Sequence, residues 1–238
     1  MERQEYRRLA EREHFYFWNI GRREIIQEAL RRNLATSDNE ILDVGCGPGG
    51  NIYALQNFGR VTGLDLAEEA LQFAKDLGFV QLIKSDACNM PLPDASFDLV
   101  SSLDVLEHIN NDEKVMTGVM RLLKSDGIFL VTVPAFPWLW SAHDEALHHV
   151  RRYTKQELLL KLKRAGFKIK ECSYFVMPAV PINLLRKLYK KEGSYDIDPS
   201  PMVNQLFLFL LRCERYLMRF VSLPFGSSLM VVAQKPRL

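Results

Sequence analysis

Short apolar runs bounded by turn residues alternate along this chain with longer stretches whose apolar positions recur every three or four residues. The runs at 41–44, 60–64, 80–84, 99–103, 127–133, 166–175 and 229–234 predict strands. The periodic stretches at 2–33, 52–58, 67–77 and 112–124 predict helices, and Gly78 stops the third. Thr154, with Glu157 at the capping-box position, opens another. This succession predicts an α/β fold: a Rossmann-like, doubly wound, mostly parallel sheet with helices on both faces and ligands outside the carboxyl ends of its strands.

One connection breaks the rhythm. About 50 residues separate the last two strands, far more than an ordinary link. They hold a basic amphipathic helix with Arg186, Lys187, Lys190 and Lys191, a Gly/Ser/Asp/Pro linker at 193–201, and a strongly apolar helix over 203–221. Arg212, Glu214, Arg215 and Arg219 interrupt that helix, so it is poorly suited to spanning a bilayer. Packing over the sheet, pairing with a second subunit, and shallow binding to a lipid surface or an apolar acceptor all remain open for it. The chain divides into an N-terminal helical cap (1–33), an α/β core (34–176), a helical insertion (177–226) and the last strand of the core (227–238).

With 238 residues, 47% of them hydrophobic, the chain can bury one sizeable core. Residues 1–20 open with charges, and no run reaches the roughly 18 apolar residues of a membrane span, so a cytoplasmic protein is expected. Cys46, Cys88, Cys172 and Cys213 show no paired spacing and read as reduced thiols. The formal charge of +2 conceals an asymmetry: residues 1–149 carry 14 Lys/Arg against 23 Asp/Glu, residues 150–192 carry 12 against 3. The basic stretch is a solvated helix face or an anion-attracting surface.

Candidate chemistry starts at 41–51, where an apolar run meets an acid and then glycines at alternate positions, Asp43-x-Gly45-x-Gly47-x-Gly49. Glycine takes positive φ at little cost and lets backbone N–H groups approach a ligand, and a helix beginning near Asn51 would add its positive end. The next strand ends in Asp65, about 20 residues on, where a βαβ unit presents an acid to ribose hydroxyls. The spacing is not the G-x-G-x-x-G of dinucleotide enzymes.

This pattern resembles motif I of the class I S-adenosyl-L-methionine (SAM)-dependent methyltransferases, of the type 11/12 kind, and the likeness runs along most of the chain. Ser85-Asp86-Ala87 is similar to the turn in which an acid meets the adenine amino group. Leu103, followed by Asp104-Val-Leu-Glu-His108, is similar to the stretch beside the methionine end of the cofactor. The resemblance implies seven strands with the last antiparallel, SAM as cofactor with S-adenosyl-L-homocysteine as product, and a cofactor site built from Asp43, Gly45, Cys46, Gly47, Gly49, Asp65, Leu66, Asp86, Ala87 and Leu103. The aromatic block His14-Phe-Tyr-Phe-Trp18, followed by Arg22-Arg23, is similar to a segment that caps the SAM pocket in several such enzymes; Trp18 joins the candidate set, and simple packing on the sheet is the other reading.

After the fifth strand come His143-Asp144, then His148-His149-Val-Arg151-Arg152-Tyr153, beside Trp138 and Trp140. Three readings are open. Metal ligation by His143, Asp144, His148 and His149 lacks a cysteine or further acid at recognisable spacing, so no metal is expected. Arg151 and Arg152 could tie loops to the core. An acceptor site would use Arg152 and Tyr153 to bind a carboxylate or phosphate and His149, or else His143, to take a proton. The expected function is methyl transfer to a small-molecule or lipid-linked acceptor, an anionic one included, at oxygen, by a monomer or homodimer with peripheral membrane contact among its options. The rivals are a SAM-binding regulatory or scaffold protein without turnover and a nucleic-acid methyltransferase. The base-gripping N-P-P-Y, D-P-P-Y and Pro-Cys motifs are missing, so no nucleic acid is expected.

Overall fold

The computed structural model describes residues 15–181, Leu184 and 199–237. Seven strands form one sheet in the order β3-β2-β1-β4-β5-β7-β6. They are β1 (Asn39–Val44), β2 (Gly59–Asp65), β3 (Leu82–Lys84), β4 (Phe97–Leu103), β5 (Leu123–Pro134), β6 (Lys168–Phe175) and β7 (Ser228–Gln234). The first five pair in parallel, and β7 runs antiparallel between β5 and β6. The order of strands reverses between β1 and β4, which opens a crevice at their carboxyl ends.

Alternation along the central strands feeds two cores. Leu42, Val100 and Val131 pack with Val115, Met116, Val119 and Leu122 of α4 (Asp112–Leu122) and with Leu158 and Leu162 of α6 (Lys155–Arg164). Their neighbours Ile41, Leu99 and Leu130 face the other way, onto Ile25, Ile26, Ala29 and Leu30 of α1 (Phe17–Asn33) and Leu208, Leu211 and Met218 on and just after α7 (Pro201–Leu217). Three further short helices are α2 (Ile52–Leu55), α3 (Glu68–Asp76) and α5 (Ala142–Ala146).

The insertion's apolar helix therefore packs beside the N-terminal helix on one face of the sheet. Gly21 makes room for this, since a Cβ there would overlap Leu211. Glu24 pairs with Arg212 at 2.8 Å and Arg215 at 2.9 Å, and Glu28 with Arg219 at 2.8 Å. Glu214 is buried and accepts from the backbone N–H groups of Val176 and Met177, which fastens α7 to the end of β6. His14, the basic residues Arg186 to Lys191 and most of the 193–201 linker lie outside the described residues.

Most boundaries differ from the sequence reading by a few residues, those of β3 and β5 among them. β5 begins at Leu123, not 127, because fully buried Leu123 pairs with Phe97 ahead of a register irregularity. Only Leu82–Lys84 of the 80–84 run is strand, and Val80 is 88% exposed.

Candidate active site

Gly45, Gly47 and Gly49 all have positive φ, at 73°, 54° and 97°. Packing explains two of them. A Cβ on Gly45 would overlap Val105, and one on Gly49 would stand 2.5 Å from the Phe79 ring, whereas one on Gly47 would meet open space. Four of the loop's N–H groups are spent within the protein: Gly45 and Cys46 donate to Leu64 O at 2.7 and 3.0 Å, Gly47 to Asp65 Oδ2 at 2.8 Å, and Gly49 to Cys46 O at 3.1 Å. The loop offers a ligand closeness of approach, not the row of free donors that the glycine pattern suggests. Cys46, expected at the cofactor, is instead packed with Ile52, Leu71 and Phe79, and burial pushes its thiol pKa far up.

A cleft of about 360 Å³ lies at the carboxyl ends of β1, β2, β3 and β4. Gly45, Asp65 and Leu66 form one side, Asp86 and Ala87 the next, and Asp104, Val105 and His108 the last. Asp65 is fixed by the N–H groups of Gly47 and Ala67, and Asp86 by that of Cys88 at 2.8 Å. Each carboxylate keeps lone pairs for a ligand. A second cavity, of about 550 Å³, lies near Arg31, Thr36 and Phe58 at the amino ends of the strands, away from the switch point and without such a convergence of acids.

Of the other expected cofactor residues, Gly47, Gly49, Asp43, Leu103 and Trp18 are not among those lining the cleft. Leu103 belongs to the core under α1 and α7, and Trp18 packs partly buried against the same cluster. It is Arg22, one turn after Trp18, that reaches the site, donating to Thr132 Oγ1 at 3.1 Å and pairing with Asp104 at 2.9 Å. Asp43 is wholly buried beneath the loop; Oδ1 accepts from Ser101 at 2.7 Å, while Oδ2 has no partner among the described residues. Burial pushes its pKa up to about 7.

At the far end stands His149. Its Nδ1 lies 2.9 Å from Asp144 Oδ1, and Asp144 also receives Arg152 Nε at 2.7 Å and the Ser141 N–H at 2.9 Å. Burial alone would raise the Asp144 carboxyl, but the bonds from His149 and Arg152 outweigh it and hold its pKa well below the usual range. An ionised Asp144 makes Nδ1 the donor, which leaves Nε2 of a neutral His149 as a bare lone pair. The His108 ring sits edge-on to it, centroids 4.8 Å apart. Burial, then the neighbouring His149, lowers the His108 pKa.

Glu107 completes this end. Its side chain is fully buried, and neither carboxylate oxygen has a hydrogen-bond partner among the described residues. Burial and the charge of Asp104 raise its pKa. Glu107, His108 and His149 each bring a ligand-type atom to within 4.8 Å of the others. The sequence reading had marked the Asp104–His108 stretch only as a neighbour of the cofactor. The available signal was the acid-histidine pair at the end of β4.

Arg152 and Tyr153, read as acceptor-binding residues, are placed elsewhere. Arg152 is spent on Asp144 and on Ala135 O at 3.2 Å. Tyr153 is wholly buried and donates to Asp112 Oδ2 at 2.7 Å, where Lys161 at 2.7 Å and Arg151 at 3.3 Å converge as well. These cations are consumed by two buried acids, so this part of the basic stretch is a structural knot and not an anion-binding face. His143 lies on α5, outside the Glu107–His108–His149 group.

Residues 42–131 match the family model described as a methyltransferase domain. A probable S-adenosylmethionine-dependent methyltransferase of Mycolicibacterium smegmatis is 30% identical over 68% of this chain, which spans 63% of that relative's length. A sterol 24-C-methyltransferase of Gibberella zeae is 32% identical over 56% of this chain and 33% of its own. Among solved structures, the complex of the Haloferax volcanii Trm112 methyltransferase activator with a putative methyltransferase superposes with a TM-score of 0.66 at 19% identity, covering 98% of this chain and 95% of that one.

Proposed function

We propose, from the premise that this chain belongs to the class I SAM-dependent methyltransferases and uses SAM, that it transfers the methyl group to a hydroxyl oxygen of a small-molecule or lipid-linked acceptor. The observation that carries the choice of oxygen is the pairing of Asp144 with His149 at the end of the cleft. A sulfonium carbon is already a strong electrophile, so the protein mainly aligns the acceptor and removes water; a hydroxyl must in addition lose its proton, and a group able to manage protons is then required.

The residues present suit the cofactor. Asp65 and Asp86 supply fixed carboxylates on two sides of the cleft, Gly47 leaves the loop open, and the unpartnered Oδ2 of buried Asp43 suits a cationic group above the loop. When bound, SAM supplies the activated methyl group. Asp65 and Asp86 orient the nucleoside, Val105 closes over Gly45, and the end formed by Asp104, Glu107, His108 and His149 receives the acceptor hydroxyl and its proton.

A second observation favours a lipid-linked acceptor. Met202, Leu206, Phe209, Tyr216 and Phe220 project from the outer side of α7 and the turn after it at helical spacing, 55–83% exposed, with no charge among them. An uncharged apolar stripe suits shallow insertion among headgroups, and among the described residues no helix is long and apolar enough to cross a membrane. A relative named for a sterol acceptor supports an apolar substrate, although its name specifies a carbon atom. Co-sedimentation with anionic phosphatidylglycerol vesicles, lost in Phe209→Glu/Phe220→Glu, is the expected result; equal binding by both proteins removes the lipid reading.

The function itself is tested by calorimetry with SAM, then a labelled-methyl screen over lipid, sugar and quinone-like extracts with the product atom identified. Tight SAM binding without turnover would favour the scaffold rival. Label found only on nitrogen or carbon would overturn the choice of oxygen.

A further inference from the structure

We propose that Glu107, His108 and His149 form a divalent-cation site at the acceptor end of the cleft, selective for first-row ions such as Mn²⁺, Co²⁺ or Zn²⁺, that holds the hydroxyl oxygen of the acceptor. The three side chains come from two separated stretches of chain, yet their ligand atoms lie within 4.8 Å of one another. Glu107 is the independent witness. Its side chain is fully buried and both carboxylate oxygens lack partners among the described residues. A carboxylate removed from water without compensation is costly, and one cation relieves both oxygens at once.

The surroundings fit a ligand set. Metal-bound histidines commonly donate their second ring nitrogen to a carboxylate, which fixes the tautomer and aims the other nitrogen at the ion. Asp144 does this for His149 at 2.9 Å, with Arg152 and Ser141 holding Asp144 in turn. Two imidazoles and one carboxylate favour the borderline first-row ions over Mg²⁺ or Ca²⁺, which prefer all-oxygen shells. Three protein ligands also leave coordination positions for an oxygen of the substrate. The set shares only His149 with the ligands suggested by the sequence, because the chain fold, not the spacing, brings the end of β4 to residue 149.

The role of the ion rests on the reading of oxygen methylation. With Nδ1 held by Asp144, Nε2 of His149 cannot both bind the ion and take a proton, so the ion replaces His149 in handling the proton. Bound to the cation, the acceptor hydroxyl releases its proton to solvent; its oxygen then forms the O–CH₃ bond as the S–CH₃ bond breaks, and that electron pair stays on sulfur as the thioether product. Acceptors with two adjacent oxygens, such as catechols or vicinal diols, would span two positions and are the favoured class.

The test begins with the full chain stripped by EDTA and titrated with Mn²⁺, followed by electron paramagnetic resonance, with Co²⁺ absorption as a second probe. One ion per chain is expected, with affinity reduced about 10- to 100-fold in Glu107→Gln and in His108→Asn, while the far-ultraviolet circular dichroism and the cooperative thermal transition match those of the wild type, which shows that the variants are folded. Absence of stoichiometric uptake by the wild type, or uptake untouched by both variants, overturns the site. Methyl transfer to oxygen that persists at full rate in EDTA removes the ion's role while leaving the proposed function standing; an ion bound as expected in a protein that methylates only nitrogen or carbon keeps the site and removes that function.

Discussion

Arg22 of the N-terminal helix pairs with Asp104 at 2.9 Å, joining the helical cap to the cleft wall at the end of β4. The same guanidinium donates to Thr132 on β5 and is mostly buried. Arg22→Ala leaves Asp104 without its counter-ion, which should weaken SAM binding by about tenfold, the order expected for loss of a partly buried charged bond. Trp18→Ala should change it less, since the indole packs on the core. Stopped-flow SAM release rates decide: a fast Trp18→Ala variant beside an unchanged Arg22→Ala variant would restore the aromatic cap.

The glycine loop makes a second prediction because its parts fail in different ways. Asp65→Ala removes the acceptors for the N–H groups of Gly47 and Ala67 as well as the ribose contact, so SAM affinity and melting temperature should fall together. Gly45→Val demands a positive φ from a β-branched residue and drives its side chain into Val105, costing several kcal/mol on this account. Gly47→Ala meets open space and only the backbone strain, so it should fold and lose affinity mildly. If calorimetry finds the three variants equal, the division of labour within the loop is wrong.

What was legible in the sequence follows from what is local. All seven strands and the main helices could be placed because their apolar runs and periods are properties of neighbouring residues. The acids Asp65 and Asp86 could be placed because a βα unit has a nearly fixed length. The site at Glu107, His108 and His149 was only half visible, since it joins residues about 40 apart through the crossing of β4 and the loop after β5. Burial was the other blind spot. Arg152 and Tyr153 carry suitable chemistry for an acceptor site, and nothing in their spacing reveals that Asp144 and Asp112 have already claimed them.

That reassignment is itself testable. Tyr153→Phe loses a buried bond to Asp112 and should cost about 1–2 kcal/mol of stability while turnover per folded molecule holds. Arg152→Lys cannot hold both Asp144 and Ala135 O in the same fork geometry, so it should lower the melting temperature and, by loosening Asp144 and with it His149, lower kcat more than it raises KM. A raised acceptor KM with an unchanged melting temperature in either variant would return these residues to the acceptor site.

The last prediction concerns Glu214, whose carboxyl fastens α7 to the chain just after β6. Burial pushes its pKa from 4.5 to about 7, against the opposing pull of the Met177 and Val176 N–H groups. The folded chain therefore retains a proton that the unfolded chain releases near pH 4.5. Its favourable contribution is complete below pH 4.5 and disappears as pH rises through about 7, a difference of at most about 3 kcal/mol. Asp43, raised for the same reason, tilts stability the same way. Urea unfolding at pH 5 and pH 8 should accordingly show a loss of stability in the wild type that shrinks in Glu214→Gln, which cannot ionise. The variant gives up one of two carboxylate acceptors and should be weaker than the wild type at pH 5, so the informative quantity is the slope with pH, not the absolute stability. Parallel slopes in the two proteins would mean that Glu214 titrates as it does in the unfolded chain and that burial does not raise its pKa.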